Sequence, residues 1–484
     1  MEEDYPAELS SGDNFVAGPL PDDPDDTETA DGEEVEHQAR QELLRVEAEL
    51  NQRWPETKID PSLDRIAALA TVLGDPQTTY PVVHVAGTNG KGSTARMIDA
   101  LLTRMGLRTG RYSSPHLQLV TERIAIDGTP IPASKYVSVY RDIEPYVAMV
   151  DGAGGPAMSK FEVLTGMAFA AFADAPVEVA VLEVGLGGRW DATNVADGQV
   201  AVITPIGVDH VDYLGSDITE IAGEKAGIIK PGSVAVIAEQ QPEVQRVLLE
   251  RAVEVDAAVA RAGSEFGVVR REIAVGGQML SLQGLGGVYD EIFLPLHGAH
   301  QAGNAALALA AVEAFFGAGK DRQLVIEAVR EAFAEVGTPG RLERVRAAPT
   351  VLLDAAHNPH GAQALAAAIS EEFAFRKLVA VVGVMRDKDA RGILEALEPV
   401  VSELVVTTNS SPRAMPLTEL NDLALSIFGE ERVVAEQGLD AAVETAVALA
   451  EEGGDEALAG GGVLVTGSVV TAGEARTLFG KEPA

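Results

Sequence analysis

The stretch Pro81-Val82-Val83-His84-Val85-Ala86, followed by Gly87-Thr88-Asn89-Gly90-Lys91-Gly92-Ser93-Thr94, decides the fold. Its first half is a continuous apolar run, the pattern of a strand covered on both faces of a parallel sheet. Its second half is glycine-rich and leads into a helix-forming segment over 94–105. Glycines let the backbone curl until several N–H groups point at one anion. The helix N-terminus adds partial positive charge, Lys91 a full one, and a Ser or Thr hydroxyl can face a divalent cation. Strand, loop and helix in this order predict a triphosphate cradle. The spacing departs from the usual G-x-x-x-x-G-K-[ST] pattern, because Gly87 lies three residues before Gly90 and Gly92 separates Lys91 from Ser93.

Outward from this unit, apolar runs recur at 179–184, 200–204 and 234–238, separated by helix-forming stretches at 161–172 and 218–226. This alternation predicts an α/β domain with a mostly parallel sheet. From 265 to 297 short runs broken by Gly276-Gly277, Gly284 and Gly286-Gly287 read as turn-linked strands at the edge of that domain, and an Ala-rich helix follows over 304–315. Pro339-Gly340 then punctuates the chain. Strands at 351–354, 378–384, 404–407 and 463–466 alternate with helices and predict a second, smaller Rossmann-like α/β domain. The expected division is 37–336 for the nucleotide domain and 337–484 for the C-terminal one. Before the first strand, Ala39, Leu43, Leu44, Val46 and Leu50 carry helical spacing that Pro55 stops.

The chain has 484 residues, a formal net charge of -37 and a sequence pI near 4.5. Such acidity argues against a nucleic-acid backbone as partner. Residues 1–36 hold fourteen acids and no Lys or Arg, a composition expected to form a disordered tail. The absence of cysteine excludes disulfides, thiolate chemistry and Cys-ligated zinc. Neither a signal peptide nor an apolar run of about 18 residues is present, so a soluble, cytoplasmic protein without membrane contact is expected.

Several residues outside the phosphate loop sit where ligands bind. Glu183 ends an apolar strand beside Gly185-Leu186-Gly187-Gly188, and a carboxylate there suits magnesium or a purely structural role equally. Asp209-His210 follows another strand; imidazole is not a preferred magnesium ligand, so His210 alone reads as structural or solvated. Lys225 alone reads as a solvated lysine at a helix end. Arg341, after Pro339-Gly340, and Asp354, at a strand end, could meet a nucleotide across an interdomain cleft.

Eight motifs in register give the chain a family resemblance. They are Gly-Thr-Asn-Gly-Lys-Gly-Ser at 87–93, Ser-Ser-Pro-His-Leu at 113–117 with Glu122-Arg123-Ile124, Phe-Glu-Val-Leu-Thr at 161–165, and Glu-Val-Gly-Leu-Gly-Gly-Arg-Trp-Asp-Ala-Thr-Asn at 183–194. Asp209-His210, Glu-Lys-Ala-Gly-Ile-Ile-Lys at 224–230, Pro-Gly-Arg-Leu-Glu at 339–343 and Asp-Ala-Ala-His-Asn-Pro at 354–359 complete the set. Over residues 38–484 the chain resembles the Mur ligase superfamily, and within it the folylpolyglutamate synthase and dihydrofolate synthase family of actinobacterial bifunctional type. The resemblance implies ATP between the domains, with Asn89, Gly90, Lys91, Gly92 and Ser93 around its phosphates, Asn304 near the adenine, and Arg341 and Asp354 reaching it from the C-terminal side. It implies one or two magnesium ions held by Ser114, Glu183 and His210, against the reading of His210 alone, and a carbamylated Lys225. It implies a pterin substrate held by Asp60-Pro61-Ser62, by Ser159, Lys160, Phe161 and Glu162, and by Trp190, Asp191 and Ala192. Arg123 and His357 become candidates for the glutamate carboxylates or the acyl phosphate.

The expected activity is ATP-dependent ligation of L-glutamate to 7,8-dihydropteroate, to tetrahydrofolates already carrying glutamate, or to both, by a monomer whose segment 335–340 moves as the domains close. A Mur-type cell-wall ligase would carry a further N-terminal domain of about 100 residues, whereas only about 50 structured residues are expected before the phosphate loop. A nucleotide-hydrolysing switch is the reading from another class, but the Asn-Lys-x-Asp signature of GTPases is absent and Asp387-Lys388-Asp389 does not match it.

Overall fold

The computed structural model describes residues 24–54, 61–317, 319, 322–452 and 460–483. The larger body is built on an eight-stranded sheet: β1 (Val82–Ala86), β2 (Thr109–Tyr112), β3 (Ile124–Ile126), β4 (Thr129–Pro130), β5 (Val179–Glu183), β6 (Gly198–Ile203), β7 (Val234–Ile237) and β8 (Ala258–Arg261), in the order β4-β3-β2-β5-β1-β6-β7-β8. Only β3 runs against the rest, pairing antiparallel with β2 and β4; the other pairings are parallel. The strands are Val- and Ile-rich on both faces because helices cover both. β1 is central, with β5 on one side and β6 on the other, so the strand order reverses at its end. In open parallel sheets this switch point is where ligands bind.

The segment expected to hold turn-linked strands forms a separate antiparallel sheet of β9 (Gly267–Ala274), β10 (Gly277–Gln283) and β11 (Val288–Leu294). Leu280, Leu282, Tyr289, Ile292 and Leu294 pack with the Ala-rich helix Ala299–Phe315 and with the apolar face of the helix Lys91–Arg104. Alanine at this density lets the helix sit closely between the two sheets.

The smaller body is a six-stranded sheet of β12 (Glu343–Ala347), β13 (Thr350–Leu353), β14 (Lys377–Val382), β15 (Glu403–Val406), β16 (Val433–Ala435) and β17 (Gly461–Thr466), ordered β12-β13-β17-β14-β15-β16 and parallel except for β12. Between the bodies, helix Ile326–Glu335 ends at Val336. Val336 and Thr338 are buried, and Gly340 turns at φ +66° before β12 begins.

The helix Pro24–Leu50 takes in residues 24–36 of the tail expected over 1–36, while residues 1–23 lie outside the described residues. Leu43, Val46 and Leu50 of this helix are buried, whereas Leu44 is 71% exposed, because neighbouring helix positions cannot both face inward. Arg141 gathers Glu42 (2.9 Å) and Glu49 (2.9 Å), fastening this helix to the helix Ala133–Gly152. Among the described residues no helix is long and apolar enough to cross a membrane.

Under the phosphate loop, Asp99 on helix Lys91–Arg104 binds Arg111 of β2 at 3.0 Å and Thr109 at 2.5 Å, with the Asp99 and Arg111 side chains 3% and 1% exposed. Removing one member of such a pair strands a buried charge. Asp99→Ala is expected to lower stability by about 3–5 kcal/mol, read by urea unfolding of the larger body's transition.

Candidate active site

The loop after β1 is shaped by positions that admit no side chain. Gly87 has φ +146°, and a Cβ there would lie 1.9 Å from Thr204 Oγ1 and 2.9 Å from the Thr204 carbonyl oxygen. Gly90 has φ +87°, and its Cβ would lie 2.6 Å from Asn304 Oδ1. The loop is stitched to the segment after β6, since Thr88 N and Asn89 N donate to Pro205 O (3.0 and 3.3 Å) and Thr88 Oγ1 donates to Gly207 O (2.9 Å). The helix Lys91–Arg104 starts at its end, so its free N–H groups face the cradle.

Two lysines converge on one carbonyl. Lys225 Nζ donates to Gly87 O at 2.8 Å, and Lys91 Nζ donates to the same oxygen at 3.3 Å and to Thr88 O at 3.2 Å. Lys225 is buried, and burial, seconded by the Lys91 charge, pulls its pKa down to about 7. Burial also lowers the Lys91 pKa, opposed by Glu183 and Asp209 and seconded by Arg341 and Lys388. Lys225 is therefore an enclosed amine, not the solvated helix-end lysine that its local sequence suggests.

Glu183, at the end of β5, is buried beneath this loop, with Oε2 3.4 Å from the Ser114 N–H and 3.6 Å from where a Gly92 Cβ would stand. Burial raises its pKa and the Lys91 charge opposes the rise. Asn304 is buried against Gly90 and donates to Gln301 Oε1 at 3.1 Å. Asp354 accepts the N–H groups of Leu342 (2.9 Å) and Ala356 (2.8 Å); its pKa is raised by burial, against the pull of the Arg341 guanidinium.

The smaller body closes over the loop with Asn358, from the 354–359 motif, and with His360 and Lys388, which lie outside the motifs. Asn358 Nδ2 donates to Asn89 Oδ1 (3.0 Å) and Asp209 Oδ2 (2.9 Å), His360 Nδ1 lies 2.8 Å from Asn89 Nδ2, and Lys388 Nζ donates to Asp209 Oδ1 (2.7 Å). His210 has φ +53°, a rare conformation for a non-glycine residue. Burial, then the Lys388 charge, takes its pKa to about 3, so it is neutral at physiological pH. His357 is likewise neutral, pulled to about 4 by burial and Lys388, with Nδ1 on the Ala355 carbonyl (2.9 Å) and Nε2 3.7 Å from Asp209.

Arg123 is buried and donates through Nε to His116 Nδ1 (3.0 Å), in a region shared with Lys160 and Tyr136. Lys160 reaches back to Glu47 (2.8 Å) and Asn51 (2.9 Å) of the N-terminal helix. Ser159 and Glu162 form the capping box of helix Lys160–Asp174, with Glu162 also held by Arg65 Nε at 3.0 Å. Asp191 accepts from Leu186 N (2.9 Å), Thr193 N (3.0 Å) and Thr193 Oγ1 (2.5 Å). Both carboxylates thus already hold protein donors, and each organises its loop. Phe161 lies against Gly185, and Trp190 against Gly187, where it lines a groove of about 420 Å³ with Tyr213, Leu214 and Glu224. Ala192 is buried, Ser62 Oγ accepts from Asp64 N (3.0 Å) next to Pro61, and Asp60 lies outside the described residues.

Comparison with known proteins agrees with this architecture. Residues 85–312 match the Mur ligase middle domain and residues 340–469 the Mur ligase, glutamate ligase domain. A dihydrofolate synthase/folylpolyglutamate synthase of Mycobacterium tuberculosis is 61% identical over 91% of this chain and 94% of its own length. The chain belongs to the dihydrofolate synthase/folylpolyglutamate synthase family of Mur ligases. Among solved structures, the M. tuberculosis folylpolyglutamate synthase complexed with ADP superposes with a TM-score of 0.89 at 59% identity, covering 92% of this chain and 100% of the other. Escherichia coli FolC in complex with DHPP and ADP does so with a TM-score of 0.78 at 32% identity, covering 90% and 97%.

Gly87→Ala is expected to weaken ADP binding by at least about tenfold, checked by titration calorimetry. Thr204→Gly is expected not to rescue it, because the Thr204 carbonyl oxygen alone lies 2.9 Å from the added Cβ.

Proposed function

We propose that the protein is an ATP-dependent ligase that adds L-glutamate to 7,8-dihydropteroate, forming dihydrofolate, and to tetrahydrofolates already bearing glutamate. The observation that carries this reading is the convergence on one phosphate loop of Lys91, Lys225, the strand-end carboxylate Glu183 and residues of a second domain, in a chain similar over its length to enzymes of that name. The relatives' complexes with ADP, and that of E. coli FolC with DHPP, support the substrates.

A free carboxylate does not acylate an amine, so the substrate carboxylate first attacks the γ-phosphorus of ATP, forming an acyl phosphate and releasing ADP. Asn89 to Ser93 hold the phosphates with backbone N–H groups and the Lys91 ammonium balances charge on the transferring group. Asn304 faces the adenine side, while Arg341, positioned beside Asp354, meets the nucleotide from the C-terminal body. The neutral amine of glutamate then attacks the acyl carbon, and the tetrahedral intermediate expels phosphate and leaves an amide. Neutral His357 and buried Arg123 are the candidates for the carboxylates and the acyl phosphate. Closure about 335–340 excludes water, which would otherwise hydrolyse the intermediate. The pterin is held by the 60–62, 159–162 and 190–192 stretches, with Phe161 or Trp190 as the stacking surface. The reading takes a monomer acting in the cytoplasm as the working unit.

Magnesium would be held by Ser114, Glu183 and His210. Glu183 suits it as a buried carboxylate facing the phosphate loop, whereas His210 Nε2 lies 3.4 Å from the Lys388 ammonium and would have to turn from it to serve as a ligand. Such a cation draws its other ligands from a hydroxyl, phosphate oxygens and water. When bound, it neutralises phosphate charge and polarises the γ-phosphoryl group. The low pKa of Lys225 supports carbamylation: its neutral amine adds to carbon dioxide, a N–C bond forms and a proton leaves to solvent.

Mass spectrometry of products, with dihydropteroate in one reaction and a monoglutamyl tetrahydrofolate in another, is expected to find a gain of one glutamate in both. Gain in one alone would assign that single activity, and ADP without either product would overturn the ligase reading. Because only the neutral Lys225 amine reacts, the carbamylated fraction at limiting bicarbonate is expected to rise with pH through about 7, read as one added carbon dioxide by native mass spectrometry. Lys225→Arg, a fixed cation, is expected to lose this rise and roughly 10–100-fold of activity.

A further inference from the structure

One buried cation in the cleft comes from the smaller body and belongs to none of the sites assigned above. Lys388 lies between β14 and the helix Ala390–Leu397, with its side chain 9% exposed. Its Nζ donates to Asp209 Oδ1 at 2.7 Å and lies 3.4 Å from His210 Nε2. An ammonium has donors only, so the His210 nitrogen turned toward it is an acceptor. Asp209, whose side chain is 8% exposed, accepts the His210 N–H at 2.7 Å from its own body; its charged partner comes from across the cleft. Asn358 completes the connection, bridging Asp209 (2.9 Å) and Asn89 of the phosphate loop (3.0 Å).

Fastening the two bodies does not require this pair. On the three-stranded sheet, Arg271 pairs with Glu371 (2.9 Å) and Glu372, and Glu372 also takes His297 Nδ1 (2.8 Å) and the Gly298 N–H (2.7 Å) with its side chain fully buried. What the Lys388 pair adds is location. It forms only when the bodies stand in this relation, and it bears on a residue, His210, held at φ +53°, a conformation that persists only where the surroundings over-determine it.

We propose that Lys388 is a positioning residue for the ligase reaction, converting closure of the smaller body into the working placement of the Asp209-His210 segment beside the phosphate loop. The proposal rests on the ligase reading. Lys388 touches Asp209 and His210 and acts through them; nucleotide affinity is left to the 87–93 loop with Asn304, Arg341 and Asp354.

The test compares Lys388→Gln, Lys388→Arg, Asp209→Asn and the double variant Lys388→Gln/Asp209→Asn, all as the full chain. Glutamylation rates are measured at saturating ATP, folate and glutamate, and ADP affinity by calorimetry. Lys388→Gln is expected to lower kcat about a hundredfold, the scale of misplacement from a distance, with ADP affinity within threefold of wild type. Lys388→Arg, which keeps the charge but cannot place it identically, is expected to lose about tenfold. The double variant is expected to be no slower than the slower single one, because the two residues act as one unit. Losses that multiply, ADP affinity falling in parallel with kcat, or an arginine variant at full rate would each overturn the proposal. Wild-type protein that makes no glutamylated product would instead overturn the ligase reading, so the two failures are distinguishable.

Discussion

The carbonyl of Gly87 is the point on which the site depends. It accepts from Lys225 at 2.8 Å and from Lys91 at 3.3 Å, and two ammonium groups cannot both stay charged there without cost. Burial and the Lys91 charge resolve the conflict by lowering the Lys225 pKa to about 7. The arrangement exists because the Gly87 backbone can pass within reach of Thr204, where any side chain would collide. Gly87 in turn stands at the end of β1, the strand at which the sheet order reverses. Sheet topology, loop curvature and lysine protonation are therefore one chain of cause.

Features that depend on near neighbours were legible in the sequence. The apolar runs at 82–86, 179–184, 200–204 and 234–238 became β1, β5, β6 and β7, because burial on both faces leaves a continuous signal. The glycines around Lys91 announced a cradle for the same local reason. The interdomain contacts carry no such signal. Asn358 meets Asn89 across 269 residues and Lys388 meets Asp209 across 179, and nothing in Asp387-Lys388-Asp389 indicates what its lysine will face. Ser159 with Glu162 has the spacing of a capping box, a structural pattern readable from the sequence, and the two form one at the start of helix Lys160–Asp174.

The charge distribution explains why so acidic a chain can take anionic substrates. With a net charge of -37 the far field repels phosphates and carboxylates alike, but beyond about 8 Å that field is screened at physiological ionic strength. Inside the cleft the sign reverses: Lys91 feels Arg341 and Lys388 strongly enough that both lower its pKa. These cations come from both bodies, Lys91 from the larger and Arg341 and Lys388 from the junction and the smaller.

Like charges drawn together from two bodies oppose closure unless something negative lies among them. Asp209 and Glu183 supply part of that compensation, since both favour the charged form of Lys91. A bound polyphosphate would supply much more, as its charges would fall among cations in a region sheltered from water, where each interaction is worth more than in solvent. A filled phosphate loop thus offsets the repulsion among these cations, while the placement of the 209–210 segment is left to the Lys388–Asp209 contact itself, at 2.7 Å.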